Sequence, residues 1–341
     1  MSGGVDSTAT ALLLRENTEV EGFFMRLAQP NFEQQLARVE NLAHKLHIKL
    51  HVIDLRQEFN DRVLQYFADA YFHGTTPNPC VVCNREVKFG LFQKAILRSG
   101  MDRMATGHYA RVTYAESCYH LHDGFDLAKN QSYFLARLTQ EQLAKVIFPL
   151  GEKQKSEVYS FVAKHGFTDF GGLESQDVCF LANESVGDYL EERYPQAIRS
   201  GPVLSTEGVR VGQHTGLFRY TIGQRRGLGI PDASPWYVTG IDSANNTLIV
   251  GKSEELLKTT IRIHDIHWLS GVQPDMNVTY NVRIRYSHRG AKAKLQPVDR
   301  STLLILFSEP QRAITPGQFA VIYLHDEVIG SGVIVDEGHS L

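Results

Sequence analysis

Through the first 110 residues the apolar positions fall into two alternating rhythms. Short runs at Val20 to Met25, Ile48 to Leu55 and Arg103 to Thr106 have the length and content of buried strands. Between them Phe32, Leu36, Val39, Leu42 and Leu46 recur every three or four residues. Phe59, Val63, Tyr66, Phe67 and Ala70 do the same, and so do Leu91, Phe92, Ala95 and Ile96, each set forming the apolar face of a helix. Strands alternating with helices of this length predict an α/β fold with a doubly wound parallel sheet. Ligands in such a sheet sit at the carboxyl ends of the strands.

Beyond residue 110 the rhythm shortens. Val112 to His122 alternates as a hairpin, Thr139 and Gln142 make a capping box for a helix through Val146, and a further helix runs from Lys155 to His165. From Gly201 onward β-like runs stand between turns, with Trp236 to Ile241 and Thr247 to Val250 flanking Ala244-Asn245-Asn246. The last part reads as strands at His264 to Leu269, Val278 to Tyr286, Ala293 to Pro297, Leu303 to Phe307, Phe319 to Leu324 and Val328 to Val335, which predicts a C-terminal β-barrel. The expected division is a catalytic domain over 1–195, a small β-rich central domain over 196–258 and the barrel over 259–341. A length of 341 residues, beyond what one core usually covers, agrees with several domains.

Composition narrows the class. A hydrophobic content of 43% suits a soluble globular chain, and no apolar run reaches the roughly 20 residues of a membrane span. Ala9 to Leu14 is too short for a signal peptide, so the expected location is cytoplasmic. Four cysteines, at 80, 83, 118 and 179, do not make a secreted disulfide framework; in a reducing compartment Cys80-Val81-Val82-Cys83 points to metal or redox chemistry. With a net charge of -3, any RNA-binding site has to be a local basic surface.

The chemistry begins in the first seven residues, Met1-Ser2-Gly3-Gly4-Val5-Asp6-Ser7. A glycine turn before an apolar helical run presents backbone N–H groups at a helix N-terminus, which is a seat for phosphate. No Gly-Lys-Ser/Thr follows, so the lysine of a Walker A loop is missing. Such a loop should follow a buried central strand, and a strand ahead of Met1 is therefore expected; its burial would contribute on the order of 5–10 kcal/mol.

Several further stretches follow in one order: Thr76 to Pro79 with Cys83-Asn84, Ala105 to Val112 (ATGHYARV), Asn130 to Leu135, Asp177 to Phe180, and Gly216 to Ile230 containing YTIGQRRGLGI. Together with SGGVDS, which resembles the PP-loop of enzymes that split ATP between the α and β phosphates, they resemble the tRNA-specific 2-thiouridylase MnmA family. That resemblance implies ATP-dependent replacement of the C2 oxygen of the wobble uridine by sulfur in tRNAs for Glu, Gln and Lys, with release of AMP and pyrophosphate. It implies ATP contacts at Ser2, Gly3, Gly4, Val5, Asp6, Ser7, Met25 and Gly107, with Mg2+. It also implies Cys179 as persulfide carrier and Cys83 as the second thiol, with a sulfur-relay protein or cysteine desulfurase as partner and no membrane. The target base falls to Asn78, Pro79 and Cys80, and tRNA contacts to Lys129, Asn130, Gln131, Arg285 and Tyr286.

Two positions depart from the family pattern. Cys80 stands where many members have aspartate, and Asn130 where the usual residue is also aspartate. The first substitution leaves two routes open. Cys80, Cys83 and Cys179 could hold a [4Fe–4S] cluster with one iron open to sulfide, or Cys83 and Cys179 could work as a persulfide and disulfide pair. Zinc would normally have four protein ligands. Cys118 and His108 read as packing residues. Arg283, Arg285 and Arg289 on one strand face, with Lys292 and Lys294, and a second cluster of Arg219, Arg225 and Arg226, are read as phosphate contacts whose binding weakens steeply with salt. Two other readings compete. Another PP-loop adenylating synthetase would turn over ATP without tRNA; a non-catalytic relative would bind tRNA without ATP.

Overall fold

The computed structural model describes residues 1–168, 170, 178–181, 184–299 and 301–336. Asp177 of the fourth motif lies outside the described residues. Helix α1 (Val5–Leu14) starts on Gly4, whose extended backbone follows Gly3 at φ 82°, a left-handed conformation that favours glycine. A Cβ on Gly3 would also meet the Arg38 side chain at 3.2 Å. Strands β1 (Gly22–Arg26) and β2 (Leu50–Asp54) pair in parallel, linked by α2 (Phe32–Lys45). Parallel pairing also joins β3 (Met104–Ala105) to β6 (Val146–Ile147), so the α/β domain holds two separate parallel pairs. The Met1 amino group donates to the Phe23 carbonyl of β1, and burial lowers its pKa to about 5.

Two long helical stretches, 56–72 (α3) and 79–98 (α4), lie between these pairs, and each contains a wide-wound π segment: Asn60–Leu64 in the first and Asn84–Phe92 in the second. In the second the cause is a side chain from outside the helix. Gln142 Nε2 donates to the Arg85 carbonyl at 2.8 Å, diverting an acceptor of the helical ladder. Gly90 leaves that carbonyl room, because a Cβ there would lie 2.8 Å from it. The other end of the Gln142 side chain completes the expected capping box, with Thr139 N–H donating to Oε1 at 3.0 Å and Gln142 N–H to Thr139 Oγ1 at 3.3 Å.

After the hairpin β4 (Ala110–Ala115) and β5 (Cys118–Asp123) come the short helices α5 (Ser132–Leu135) and α6 (Gln140–Ala144), then α7 (Lys155–Lys164) and α8 (Val186–Arg193). The central domain is a four-stranded sheet in the order β8 (Arg210–His214), β7 (Gly201–Ser205), β10 (Thr247–Gly251), β9 (Tyr237–Asp242). The C-terminal strands β11 (Leu257–Trp268), β12 (Tyr280–Arg283), β13 (Ala291–Pro297), β14 (Leu303–Arg312), β15 (Phe319–Leu324) and β16 (Glu327–Val335) close on themselves through β11–β16 as a six-stranded antiparallel barrel. Its interior is filled by Ile261, Ile263, Val282, Leu295, Ile305 and Ile322. The barrel sheet does not stop at its own domain: β16 also pairs with β5, so the catalytic-domain hairpin extends it. One expectation is corrected here. The strand expected to reach Tyr286 ends at Arg283, where a turn begins, so Arg283, Arg285 and Arg289 do not share a strand face.

Candidate active site

The loop expected to seat phosphate is held from several sides. Ser7 Oγ donates to Gly4 O at 3.0 Å and lies 3.2 Å from Ser2 Oγ, closing the loop on itself. Asp6, in the first turn of α1, receives Lys155 Nζ at 2.9 and 2.8 Å on its two oxygens, and Tyr109 Oη at 2.9 Å. Gly107 packs directly on it: a Cβ there would lie 2.7 Å from Asp6 Cβ and 2.9 Å from its carbonyl carbon. This is a close approach that only glycine allows. Met25 lies at the carboxyl end of β1, half-buried, with its carbonyl accepting from Gln29.

The thiols gather at the start of α4. Asn78 caps it, its Oδ1 accepting from Val81 N–H at 3.3 Å, and Pro79 is buried at the first helical position, where its missing N–H costs nothing. Asn84 fixes the helix from behind, donating to the Phe134 carbonyl at 3.0 Å. Cys179 arrives from far along the chain because its neighbour Phe180 is buried against Phe59, Phe67 and Tyr189. Cys80, Cys83 and Cys179 are all free thiols. Burial pushes Cys80 up to about 11 and Cys83 up to about 12; each also feels the charge of Cys179, and the Lys88 ammonium pulls both back. Cys179 is exposed as a residue, yet the protein around it still raises its thiol, again opposed by Lys88.

The two half-sites share one stretch of backbone. Gly107 and Tyr109 face Asp6, while His108 between them faces the thiol side, with Nε2 3.5 Å from Lys88 Nζ and Nδ1 2.7 Å from Thr106 Oγ1. Burial holds the His108 pKa well below its ordinary value, so it is neutral and accepts from Lys88. It is the packed histidine the sequence suggested, wedged against Phe89 and Phe148. Sequence reasoning missed Lys88, Tyr109 and Lys155. Lys88 lies five residues after Cys83; five residues of α-helix would turn it about 140° away, whereas π winding returns it toward the same side.

The residues expected to meet tRNA divide. Lys129 is half-buried; Gln131 grips Tyr109, its Oε1 accepting from Tyr109 N–H at 3.1 Å. Asn130 is buried, its Oδ1 taking Gly124 N–H and Ser132 N–H at 3.2 and 3.1 Å, so it holds its loop from inside. Tyr286 is exposed and stacks on Phe134 with ring centres 4.4 Å apart, and Arg285 donates to the Arg312 carbonyl. Two of the arginines read as phosphate contacts are engaged elsewhere. Arg283 donates to buried Asp123 at 2.7 Å beneath Tyr323, and Arg219 is paired with Asp188 and Glu191 of α8. Arg225, Arg226, Lys292 and Lys294 remain on the surface.

A cavity of about 620 Å³ opens where the three domains meet, lined by Tyr66, Val81, Val82, Arg85, Arg137 and Ile241 among others. It borders the back of α4 but is lined by neither the thiols nor the phosphate loop. Among the described residues no three His, Cys, Asp or Glu side chains are grouped to hold a metal ion. Nor is any described helix long and apolar enough to cross a membrane.

Residues 1–183 match a family model described as tRNA methyl transferase HUP domain, 187–252 one described as tRNA methyl transferase PRC-barrel domain, and 258–334 one described as aminomethyltransferase beta-barrel domain. The chain is similar to a tRNA-specific 2-thiouridylase MnmA of Desulfotalea psychrophila, 52% identical over 335 residues, which cover 98% of this chain and 97% of the relative. Proteins of the same name from Syntrophomonas wolfei and Natranaerobius thermophilus are 41% and 38% identical, with 98% of this chain and 98% and 96% of the relatives covered.

Proposed function

The chain belongs to the tRNA-specific 2-thiouridylase MnmA family, and from that premise we propose how its residues divide an ATP-dependent exchange of oxygen for sulfur on tRNA uridine. The enzyme is a tRNA sulfurtransferase. ATP, with Mg2+, lies on Ser2, Gly3, Gly4, Val5, Asp6 and Ser7, with Gly107 beside the phosphates and Met25 toward the adenine. The wobble uridine reaches Asn78, Pro79 and Cys80, and its C2 oxygen attacks the α-phosphorus. The new O–P bond forms as the bond to pyrophosphate breaks, N3 loses its proton, and a poor leaving group has become AMP.

Sulfur follows from the other side of the 106–109 stretch. A cytoplasmic relay protein or cysteine desulfurase loads Cys179 as a persulfide. Cys83 attacks the Cys179 sulfur; a disulfide forms between the two, and the outer sulfur leaves as hydrosulfide with the bonding electrons. Hydrosulfide adds at C2, AMP departs with the C–O electron pair, and a dithiol reduces the disulfide before the next turnover. In this reading the sulfur passes through the thiols themselves. Lys88 supplies the positive charge that favours their ionised forms. Lys129, Gln131, Arg285 and Tyr286, with the exposed Arg225, Arg226, Lys292 and Lys294, form the tRNA face; Asn130 supports it from within.

The observation that carries this reading is that one short stretch, residues 106–109, touches Asp6 of the phosphate loop on one side and, through His108, Lys88, whose charge reaches the thiols, on the other. The test is a single turnover of persulfide-loaded protein on unmodified tRNA of the Glu, Gln or Lys type. Two-thiouridine should appear together with a Cys83–Cys179 disulfide in peptide mass spectra. Cys83→Ser should keep the persulfide on Cys179, and ATP binding with it, while losing thiolation. Thiolation by Cys83→Ser at the native rate would refute the pairing.

A further inference from the structure

The phosphate loop has no lysine of its own, yet the fold brings one to it. Lys155, the first residue of α7, is only 9% exposed and places its ammonium on both oxygens of Asp6, the fifth residue of SGGVDS. The group is aimed as well as paired: the rings of Tyr109 and Tyr159 lie 5.7 and 5.1 Å from it, and Tyr109 Oη donates to the same carboxylate. Packing alone does not account for it. The helices that carry Asp6 and Lys155 pack on each other through the apolar cluster of Val5, Ala9, Val158 and Val162, beside which an aliphatic side chain would bury cleanly. A buried ion pair is often no more stabilising than the hydrophobic residues that could replace it. Lysine at a helix N-terminus is also unfavourable toward the helix dipole, which the sequence offsets with Asp126, whose Oδ2 accepts from Lys155 N–H at 2.9 Å. An ammonium kept at such a position, against the one carboxylate of a phosphate seat, is suited to an anion that arrives and leaves.

We propose that Lys155 is the displaced phosphate-loop lysine, and that on ATP binding its ammonium turns from Asp6 to the β and γ phosphates, which depart as pyrophosphate. This rests on the reading of Ser2 to Ser7 as the ATP seat. In this arrangement α7 closes on α1 through the nucleotide, and the charge it delivers stabilises the leaving group while the α-phosphate is left to the loop's N–H groups.

The experiment compares ATP and AMP binding to the full-length protein by calorimetry. Lys155→Met should weaken ATP by about thirtyfold, in line with loss of a charge-assisted contact, and leave AMP within about twofold. Lys155→Arg should recover most of the loss. Should the methionine variant fail to fold, the wild-type protein with isotope-labelled lysines serves: inorganic pyrophosphate should shift the Lys155 side-chain resonance and AMP should not. Equal loss of ATP and AMP, unchanged ATP affinity, or a resonance that responds to AMP alone would overturn the role. ATP binding that survives Ser7→Asp intact would instead overturn the seat itself, and the lysine assignment with it.

Discussion

The phosphate seat and the thiol pocket lie on opposite sides of the same few residues and are built on opposite principles. The seat is made of charge and backbone: a glycine turn, a carboxylate, a buried ammonium and a phenol hydroxyl within hydrogen-bond reach of one another. The pocket rests on desolvation around Cys80 and Cys83, with Cys179 at its exposed edge. Its thiols are kept neutral by desolvation, and a single ammonium works against that. The difference fits the two tasks. Anionic ATP needs compensating dipoles already in place, whereas the proposed sulfur transfer needs an accessible carrier, the exposed Cys179, beside a second thiol held back by burial, Cys83.

The contrast breaks most visibly at the shared stretch. Gly107→Ala would drive a Cβ into Asp6, an overpacking of about 1–3 kcal/mol at the loop. ATP affinity measured by calorimetry should fall about a hundredfold, while the rate at which iodoacetamide modifies Cys179 stays nearly constant; parallel losses would show that the two sites are not separable. Lys88→Met should do the reverse. Because Lys88 lowers thiols that burial has raised, its removal raises them further, and alkylation of Cys83 at pH 8 should slow by about tenfold with ATP affinity intact. The sign carries into stability. The buried neutral Cys83 supports the fold fully below its ordinary value of 9.0, and that support is lost as pH rises through about 12. The smallest effect is expected at Cys118, whose thiol merely approaches the Tyr119 carbonyl at 3.7 Å. Cys118→Ser should leave thiolation, ATP binding and melting temperature essentially unchanged; a loss of thiolation would add a thiol to the pocket.

What the sequence made legible follows the same division. The seat is contiguous, and Ser2 to Ser7 announces it; the apolar rhythms likewise located the strands of both the α/β domain and the barrel, and the Thr139–Gln142 box was readable from spacing alone. Lys155 escaped notice because nothing local distinguishes a lysine at the start of an amphipathic helix from a solvated one. Lys88 was hidden for a different reason, since α-helical spacing would turn it from Cys83 and the π segment depends on Gln142, more than fifty residues away. The basic clusters show the limit of counting charge. Arg283 and Arg219 look like their neighbours in sequence, and only the fold reveals Asp123, Asp188 and Glu191 waiting for them.

The pairing of β5 with β16 has a consequence for how such a protein can change over generations. A hairpin of the nucleotide-binding domain completes the outer wall of the barrel, and Asp123 at its end answers both Asp326 and Arg283 across the join. The barrel is therefore not a detachable module. Exchange or loss of the C-terminal segment would bare an unpaired strand edge in what remained and strand a buried carboxylate, so the barrel and the domain that carries the glycine loop are bound to diverge together.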